Sequence, residues 1–126
     1  AVSYIQELIE SSTQFNMAHN IVKNKRFLQS LKRASGSLRK NLIKKATDPQ
    51  IRSVQELALN LLKKRIPLKK HVIVTLRPHK KALKSLASKK GSINSKRKLL
   101  EQKGGAFLTP LLTTALSFLA NELRSI

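Results

Sequence analysis

The chain has 126 residues, enough for one small domain, and its 26 Lys and Arg against 6 Asp and Glu give a formal net charge of +20. Repulsion of that size opposes compaction, so the composition favours a polyanionic partner, with nucleic acid first and an anionic membrane surface second. The absence of cysteine excludes disulfides, thiolate zinc sites and cysteine nucleophiles, and a hydrophobic fraction of 40% argues against a wholly disordered basic tail.

The charge divides the chain into three parts. Residues 1–22 carry a net charge of −2 and are predicted to be a near-neutral N-terminal helix or extension. Residues 23–103 hold 25 Lys and Arg against 3 Asp and Glu, a net charge of +22, and are predicted to be a basic helical domain. Residues 104–126 have no net charge and begin with a diglycine, which we take as a seam before an apolar tail.

The first half of the chain shows apolar residues at helical spacing. The spacing predicts a weak amphipathic helix over 2–17, in which Met17 is either a native translation start or an ordinary residue on a helix face. A basic amphipathic helix follows over 21–34, then a turn at 35–37 in which Ser37 caps a short helix over 38–46 with Leu38, Leu42 and Ile43 on one face. Thr47, Asp48 and Pro49 then mark the start of a helix that runs to about residue 64.

The second half is predicted to be helical as well. We expect a helix over 69–76, although its run of Val, Ile and Val favours a strand by propensity. Pro78 fits the first turn of a helix over 79–89, and Ser92 caps a helix over 93–102 that the diglycine stops. A final helix is predicted over 107–123. The expected fold is therefore all-α: a small bundle of five or six short basic amphipathic helices with an apolar C-terminal helix.

The basic faces of these helices are the main candidate site. Lys and Arg neutralise phosphates and release counterions, which gives salt-dependent and sequence-independent affinity. A solvated surface is the alternative, but it does not require a charge of +22. Lys outnumbers Arg, which favours point-charge contacts with phosphates over readout of base edges. The residues predicted to bind nucleic acid are Lys63, Lys64, Arg65, Lys69, Lys70, Arg77, Lys80, Lys81, Lys84, Lys89, Lys90, Lys96, Arg97, Lys98 and Lys103.

Several stretches resemble a known family. They are Pro-Leu-Lys-Lys from position 67, Leu-Arg-Pro-His-Lys-Lys-Ala-Leu-Lys-Ser-Leu-Ala-Ser-Lys-Lys from position 76, Lys-Arg-Lys-Leu-Leu-Glu-Gln-Lys-Gly-Gly-Ala-Phe-Leu from position 96, and residues 48–62 with their Ala-Leu-Asn-Leu-Leu segment. Over about 23–123 the chain resembles small basic proteins of Polinton/Maverick elements and adintoviruses. The order of basic segment, diglycine and apolar tail is also similar to the adenovirus core protein X family. The resemblance implies a DNA-condensing core protein, placed in a virion core or a host nucleus.

The same resemblance implies cleavage by a viral cysteine protease between Gly105 and Ala106, after Gly104 and Gly105. Gln102 stands where that protease favours an aliphatic residue, and Ala106 is inserted before the family's usual Phe-Leu. Composition alone reads the diglycine as a hinge or a helix stop. Cleavage, hinge and stop therefore remain three alternatives at this point of the chain.

The apolar tail has three possible roles. It is too short to span a bilayer, and it is expected to insert at a membrane interface, to dock on a capsid shell or to pack on the chain's own bundle. The leading hypothesis is a non-enzymatic protein that binds and condenses double-stranded DNA. The alternative is a minor capsid or membrane-active protein in which the tail acts on a capsid shell or an anionic membrane.

Enzyme chemistry and cofactors have no support in the sequence. The carboxylates are scattered, and no nucleophile and base are paired by spacing. His19, His71 and His79 lack the spacing of metal ligands, so no metal or cofactor is expected, and His79 is either a phosphate contact or a surface residue.

Overall fold

The computed structural model describes residues 21–64 and 66–124, and within these ranges it is all-α, as predicted, with no strand. The helices are α1 (Lys25–Arg33), α2 (Gly36–Lys45), α3 (Asp48–Leu62), α4 (Lys70–Leu76), a 3₁₀ turn (Arg77–His79), α5 (Lys80–Ala87) and α6 (Ile93–Arg124). The helix predicted over 2–17 lies outside the described residues.

Helix α3 begins with a complete capping box, which confirms the predicted start. The Gln50 N–H donates to the Thr47 hydroxyl at 3.3 Å, and the Thr47 N–H donates to Oε1 of Gln50 at 2.9 Å. Two backbone donors that the helix leaves free are thereby satisfied, and Pro49 sits in the first turn, where no donor is needed. Local chemistry therefore fixes where α3 starts.

The ambiguous segment after α3 is helical, as predicted. A strand needs a neighbouring strand to satisfy its backbone groups, and none exists among the described residues, whereas a helix satisfies them within the segment. Leu76 is buried at the end of α4, while Ile73 is 41% and Val74 is 59% exposed. Packing of Leu76 and local backbone bonds thus override the β-propensity of Val72, Ile73 and Val74.

Helix α2 differs from its prediction. It begins at Gly36, so Ser37 lies inside the helix and does not cap it. Leu38 is 59% exposed, and the buried positions are Arg39 and Ile43, one helical turn apart. The face of α2 that meets the core is therefore rotated by one residue from the face that the leucines suggested.

The core lies between α3 and α6, and α6 packs against each of the other five helices of the described ranges. One continuous cluster holds buried apolar side chains from each of these six described helices. The fully buried contributions of the two central helices are Ile51, Val54, Leu57, Ala58, Phe107, Leu108, Leu111, Leu112 and Ala115. The apolar tail thus supplies about half of the centre of the bundle.

The predicted stop at the diglycine is wrong. Helix α6 starts as predicted, with the Ser95 N–H donating to the Ser92 hydroxyl at 3.1 Å, but it continues through Gly104, Gly105 and Pro110. A glycine inside a helix costs only about 1 kcal/mol, whereas each buried leucine contributes about 1.5–3 kcal/mol. Burial of Leu100 before the glycines, and of Leu108 after them, therefore holds them helical, and the two predicted helices over 93–102 and 107–123 are one.

Candidate nucleic-acid interface

The strongest charge feature of the fold is a stretch without carboxylates. Residues 57–100, between Glu56 and Glu101, contain no Asp or Glu. They contain 14 Lys and Arg, and these are all of the predicted binding residues except Lys103. The stretch covers the end of α3, all of α4 and α5, and the start of α6. Cations are therefore concentrated on neighbouring helices, and the stretch itself contributes no carboxylate to neutralise them.

Helix α5 shows how the fold presents these cations. Lys80 and Lys84 are one helical turn apart and exposed, and Lys81 is exposed beside them. Leu83 and Leu86, on the opposite side, are buried in the core. The apolar stripe therefore fixes the orientation of the helix and leaves its lysines in solvent, where they can meet phosphates.

The structure leaves most of the predicted binding residues available. Of the 15, 12 are exposed, Lys96 is buried, Arg97 is partly buried and Arg65 lies outside the described residues. The exposed residues are Lys63, Lys64, Lys69, Lys70, Arg77, Lys80, Lys81, Lys84, Lys89, Lys90, Lys98 and Lys103.

Lys96 has a structural contact that its sequence context did not suggest. It is 5% exposed, and its ammonium group donates to the backbone carbonyl of Ser85, which ties α6 to α5. Desolvation by burial lowers the pKa of Lys96 below its ordinary value. Lys96 lies one helical turn before buried Leu100, on the apolar stripe of α6. This spacing is visible in the sequence and could have indicated its burial.

Arg97 ties α6 to the end of α2. Its guanidinium donates to the carbonyl oxygens of Ile43 at 2.8 Å and Ala46 at 2.6 Å, and to Oδ1 of Asp48 at 3.2 Å. The last carbonyls of a helix lack backbone donors, so a cation at this end satisfies them and opposes the negative end of the helix dipole. Arg97 therefore joins the end of α2, the start of α3 and the first turns of α6.

A cleft where α5 meets α6 gathers several of these cations. It has a volume of about 600 Å³, and its lining includes Lys84, Lys90 and Lys96 together with Ser85, Ser88 and Ser95. Ammonium and hydroxyl groups are the donors that phosphate oxygens accept. The cleft is thus one place in the described fold where a phosphate could meet several donors at once.

The predicted set omitted the first two helices. Lys25 and Arg26 on α1, and Lys40, Lys44 and Lys45 on α2, are exposed as well. Both stretches lie in helices that the sequence predicts to be basic and amphipathic. The cationic surface therefore extends over α1 and α2 in addition to α4, α5 and the start of α6.

Arg39 is the exception among the cations of α2. It is 7% exposed, its Nη2 donates to the Thr109 hydroxyl at 2.7 Å, and its Nε is buried without a hydrogen-bond partner. Desolvation by burial lowers the pKa of Arg39 below its ordinary value. Its place one turn before buried Ile43 was the only sequence signal of this burial.

The histidines in the described ranges form no cluster. His79 is half-buried, with its ring centroid 6.0 Å from that of Phe107, and His71 is exposed; His19 lies outside the described residues. Over 21–64 and 66–124, no three His, Asp or Glu side chains are grouped as ligands of a metal ion would be. His79 therefore contacts the core, in addition to any contact it makes with solvent.

The apolar tail is part of the core. Phe107, Leu108, Leu111, Leu112 and Ala115 are each 0% exposed. In the part of the chain that the structure describes, no helix combines the length and the hydropathy that crossing a membrane requires. Of the three roles considered for the tail, packing on the chain's own bundle is the one observed.

The described residues thus define a small all-α bundle with a cationic surface and an apolar core. No known family model, curated protein or solved structure matches the chain.

Proposed function

We propose that the protein binds and condenses double-stranded DNA without sequence preference, as a non-enzymatic packaging protein. The observation that carries the proposal is the stretch 57–100, in which cations outnumber carboxylates 14 to none and most of the cations are exposed. A surface of this kind repels itself, and a polyanion relieves that repulsion. Duplex DNA, with one charge per about 1.7 Å of its axis, supplies a dense array of anions.

The mechanism is neutralisation of phosphates by helix faces. Exposed lysines such as Lys80, Lys81 and Lys84 contact phosphates as point charges, and each contact releases condensed counterions. Lysine ammonium groups do not read base edges bidentately as arginine does, so affinity is expected to be similar for unrelated sequences. Cations on α1 and α2 add further contacts, and a molecule that offers several cationic helices can hold more than one duplex.

The location follows from the resemblance of the basic segments to core proteins of Polinton/Maverick elements and adintoviruses. We propose a virion core, or the host nucleus, as the place where the protein meets DNA. The alternative, in which the tail acts on a membrane or a capsid shell, requires Phe107, Leu108 and Leu111 to leave the core. The proposal therefore assigns DNA binding to the cationic surface and the stability of the bundle to the tail.

The test is binding of the full chain to two unrelated duplexes across a salt titration. We expect equal affinities and a slope of log K against log salt of about −0.9 per phosphate contacted. Replacing Lys80, Lys81 and Lys84 with Gln should reduce the magnitude of the slope by about 2.7 if all three contact phosphates. The charge-matched control replaces Lys40, Lys44 and Lys45 with Gln on α2.

A smaller change in slope for the α2 variant would support the stretch 57–100 as the primary surface. Equal changes would contradict that assignment and indicate diffuse attraction by the whole molecule. Binding that is insensitive to salt, or that differs between the two sequences, would overturn the proposal as a whole.

A further inference from the structure

An apolar groove lies beside the cationic surface, where the end of α3 meets α4 and α5. It has a volume of about 590 Å³. The buried residues of its lining include Leu61, Ile66, Leu76 and Leu83. DNA phosphates gain nothing from an apolar wall of this kind, so the groove is not explained by the proposed function.

The rim of the groove is cationic. Lys64, Arg77 and Lys80 belong to its lining, and no Asp or Glu is among the described residues that line it. An apolar floor together with cations in the lining is the arrangement that a small ligand with an apolar body and an anionic end requires. The charges of the rim therefore limit the occupant to an anion.

One wall of the groove is an apolar side chain left partly in water. Ile73 lines the groove and is 41% exposed. Helix α4 has seven residues, and Leu76 is the one that it buries. The exposed part of the Ile73 side chain is not removed from water when the free protein folds, so it does not stabilise the fold. Burial of its exposed part is available to a ligand that fills the groove.

Backbone strain also occurs at the rim, where α3 ends. Lys64 has φ of +59°, in the left-handed region that strains any residue other than glycine. A glycine would satisfy the same turn at lower cost, but it would remove a cation from the rim.

We propose that this groove binds a medium-chain fatty acid, with the alkyl chain against Leu61, Leu76 and Ile73 and the carboxylate between Arg77 and Lys80. The volume is within the range of small-molecule sites, about 300–1,000 Å³, whereas a protein partner requires an interface of about 800 Å² on each side. The groove is therefore the size of a lipid-like molecule. Arg77 and Lys80 also belong to the cationic surface proposed to bind DNA, but fatty-acid binding does not depend on DNA binding.

The test is isothermal titration of the full chain with laurate below its micellar concentration, together with shorter saturated fatty acids. We expect one site per chain, and a dissociation constant that tightens about fourfold for each added methylene that enters the groove. Ile73→Asp should weaken laurate binding at least tenfold, because it places a carboxylate in the apolar wall. Both the alkyl chain and the ligand's carboxylate oppose that charge.

The matched control is Val74→Asp, on the next residue of the same helix. Val74 is also exposed, at 59%, but it does not line the groove, so laurate affinity should change less than twofold. A second pair of variants tests whether the rim cations bind the ligand specifically or by general charge attraction. Lys80→Gln should weaken laurate binding about tenfold. Lys81→Gln should not, because Lys81 does not line the groove. Circular dichroism of each variant establishes that the helices are retained.

Equal effects in both pairs, or many weak sites per chain, would overturn the proposal and assign laurate binding to the surface charge. Binding of phosphatidylglycerol vesicles or of an acidic amphipathic peptide that is stronger than that of laurate, and equally sensitive to Ile73→Asp, would also overturn it. Those results would identify a docking surface for a bilayer or a protein.

Discussion

The guanidinium of Arg39 donates through Nη2 to the hydroxyl of Thr109 at 2.7 Å, and this bond joins α2 to the apolar half of α6. The two residues are 70 positions apart in the chain, so the contact closes a large part of the fold. A buried arginine with an acceptor of this kind is part of the core and is withdrawn from the cationic surface.

Removing the acceptor should destabilise the bundle. Thr109→Val leaves the buried guanidinium without the hydroxyl, and the expected loss in the free energy of unfolding is about 1–3 kcal/mol, measured by urea denaturation. Arg39→Met removes the desolvated charge together with its unpaired Nε, and its loss should be smaller. Thr109→Ser, which keeps the hydroxyl, is the control. A Thr109→Val variant as stable as the parent would contradict the role of this bond.

Replacement of Lys64 by glycine should stabilise the protein, whereas the same replacement of Lys63 should destabilise it. Its φ of +59° strains a lysine, and Lys64→Gly should raise the free energy of unfolding by about 1 kcal/mol. Lys63 has φ of −81°, so Lys63→Gly should lower the stability by about 0.5–1 kcal/mol through added freedom of the unfolded chain. The two variants lose the same charge. Shifts of the same sign in thermal denaturation would contradict the strain at Lys64.

The apolar tail should behave as core in a mutational test. Leu111 is 0% exposed, and Leu111→Ala should cost about 2–5 kcal/mol, measured by chemical denaturation. Thr113, two residues later on the same helix, is exposed, and Thr113→Ala should change stability by less than about 0.5 kcal/mol. Similar small effects for both would mean that the tail is not packed in the bundle. Deletion of residues 106–126 should, on the same grounds, unfold the chain.

Lys96 should give the stability a dependence on alkaline pH. Burial lowers the pKa of its ammonium group in the folded chain below the ordinary value of 10.5. Between the lowered pKa and 10.5, the unfolded state holds more protons than the folded state, so the free energy of unfolding rises with pH. Below the lowered pKa the desolvation penalty applies in full.

The comparison for Lys96 uses two charge-matched variants. Lys96→Met should lose the rise in stability through that window, whereas Lys98→Met, at an exposed position, should keep it. Thermal denaturation at a series of alkaline pH values measures the difference. Parallel curves for the two variants would contradict the burial of the Lys96 charge.

The parts of the fold that local chemistry decides could be predicted from the sequence. Helix α3 is an example, because its capping box and its apolar spacing lie within the helix itself. Exposure of the lysines of α5 is another, because the same spacing places the leucines inside. The predicted binding role of these lysines stays a prediction.

The parts that long-range packing decides could not be predicted. Gly104 and Gly105 read locally as a stop, and burial of side chains on either side, including Leu100 and Leu108, keeps them helical. Arg39 reads locally as one more cation of a basic helix, and its burial depends on Thr109, 70 residues away. A pattern within one segment contains no information about a partner at that distance.

The helical state of the diglycine has a consequence for any protease directed at it. A protease needs an extended substrate, so the bond after Gly105 becomes available only when this part of α6 unwinds, and the rate of scission follows the population of that opened state. A ligand that stabilises the bundle would slow the cut, and scission would separate Leu100 from Leu108 within one helix. Such a cleavage would be irreversible disassembly of the core, timed by its local unfolding, and would not be the trimming of a tail.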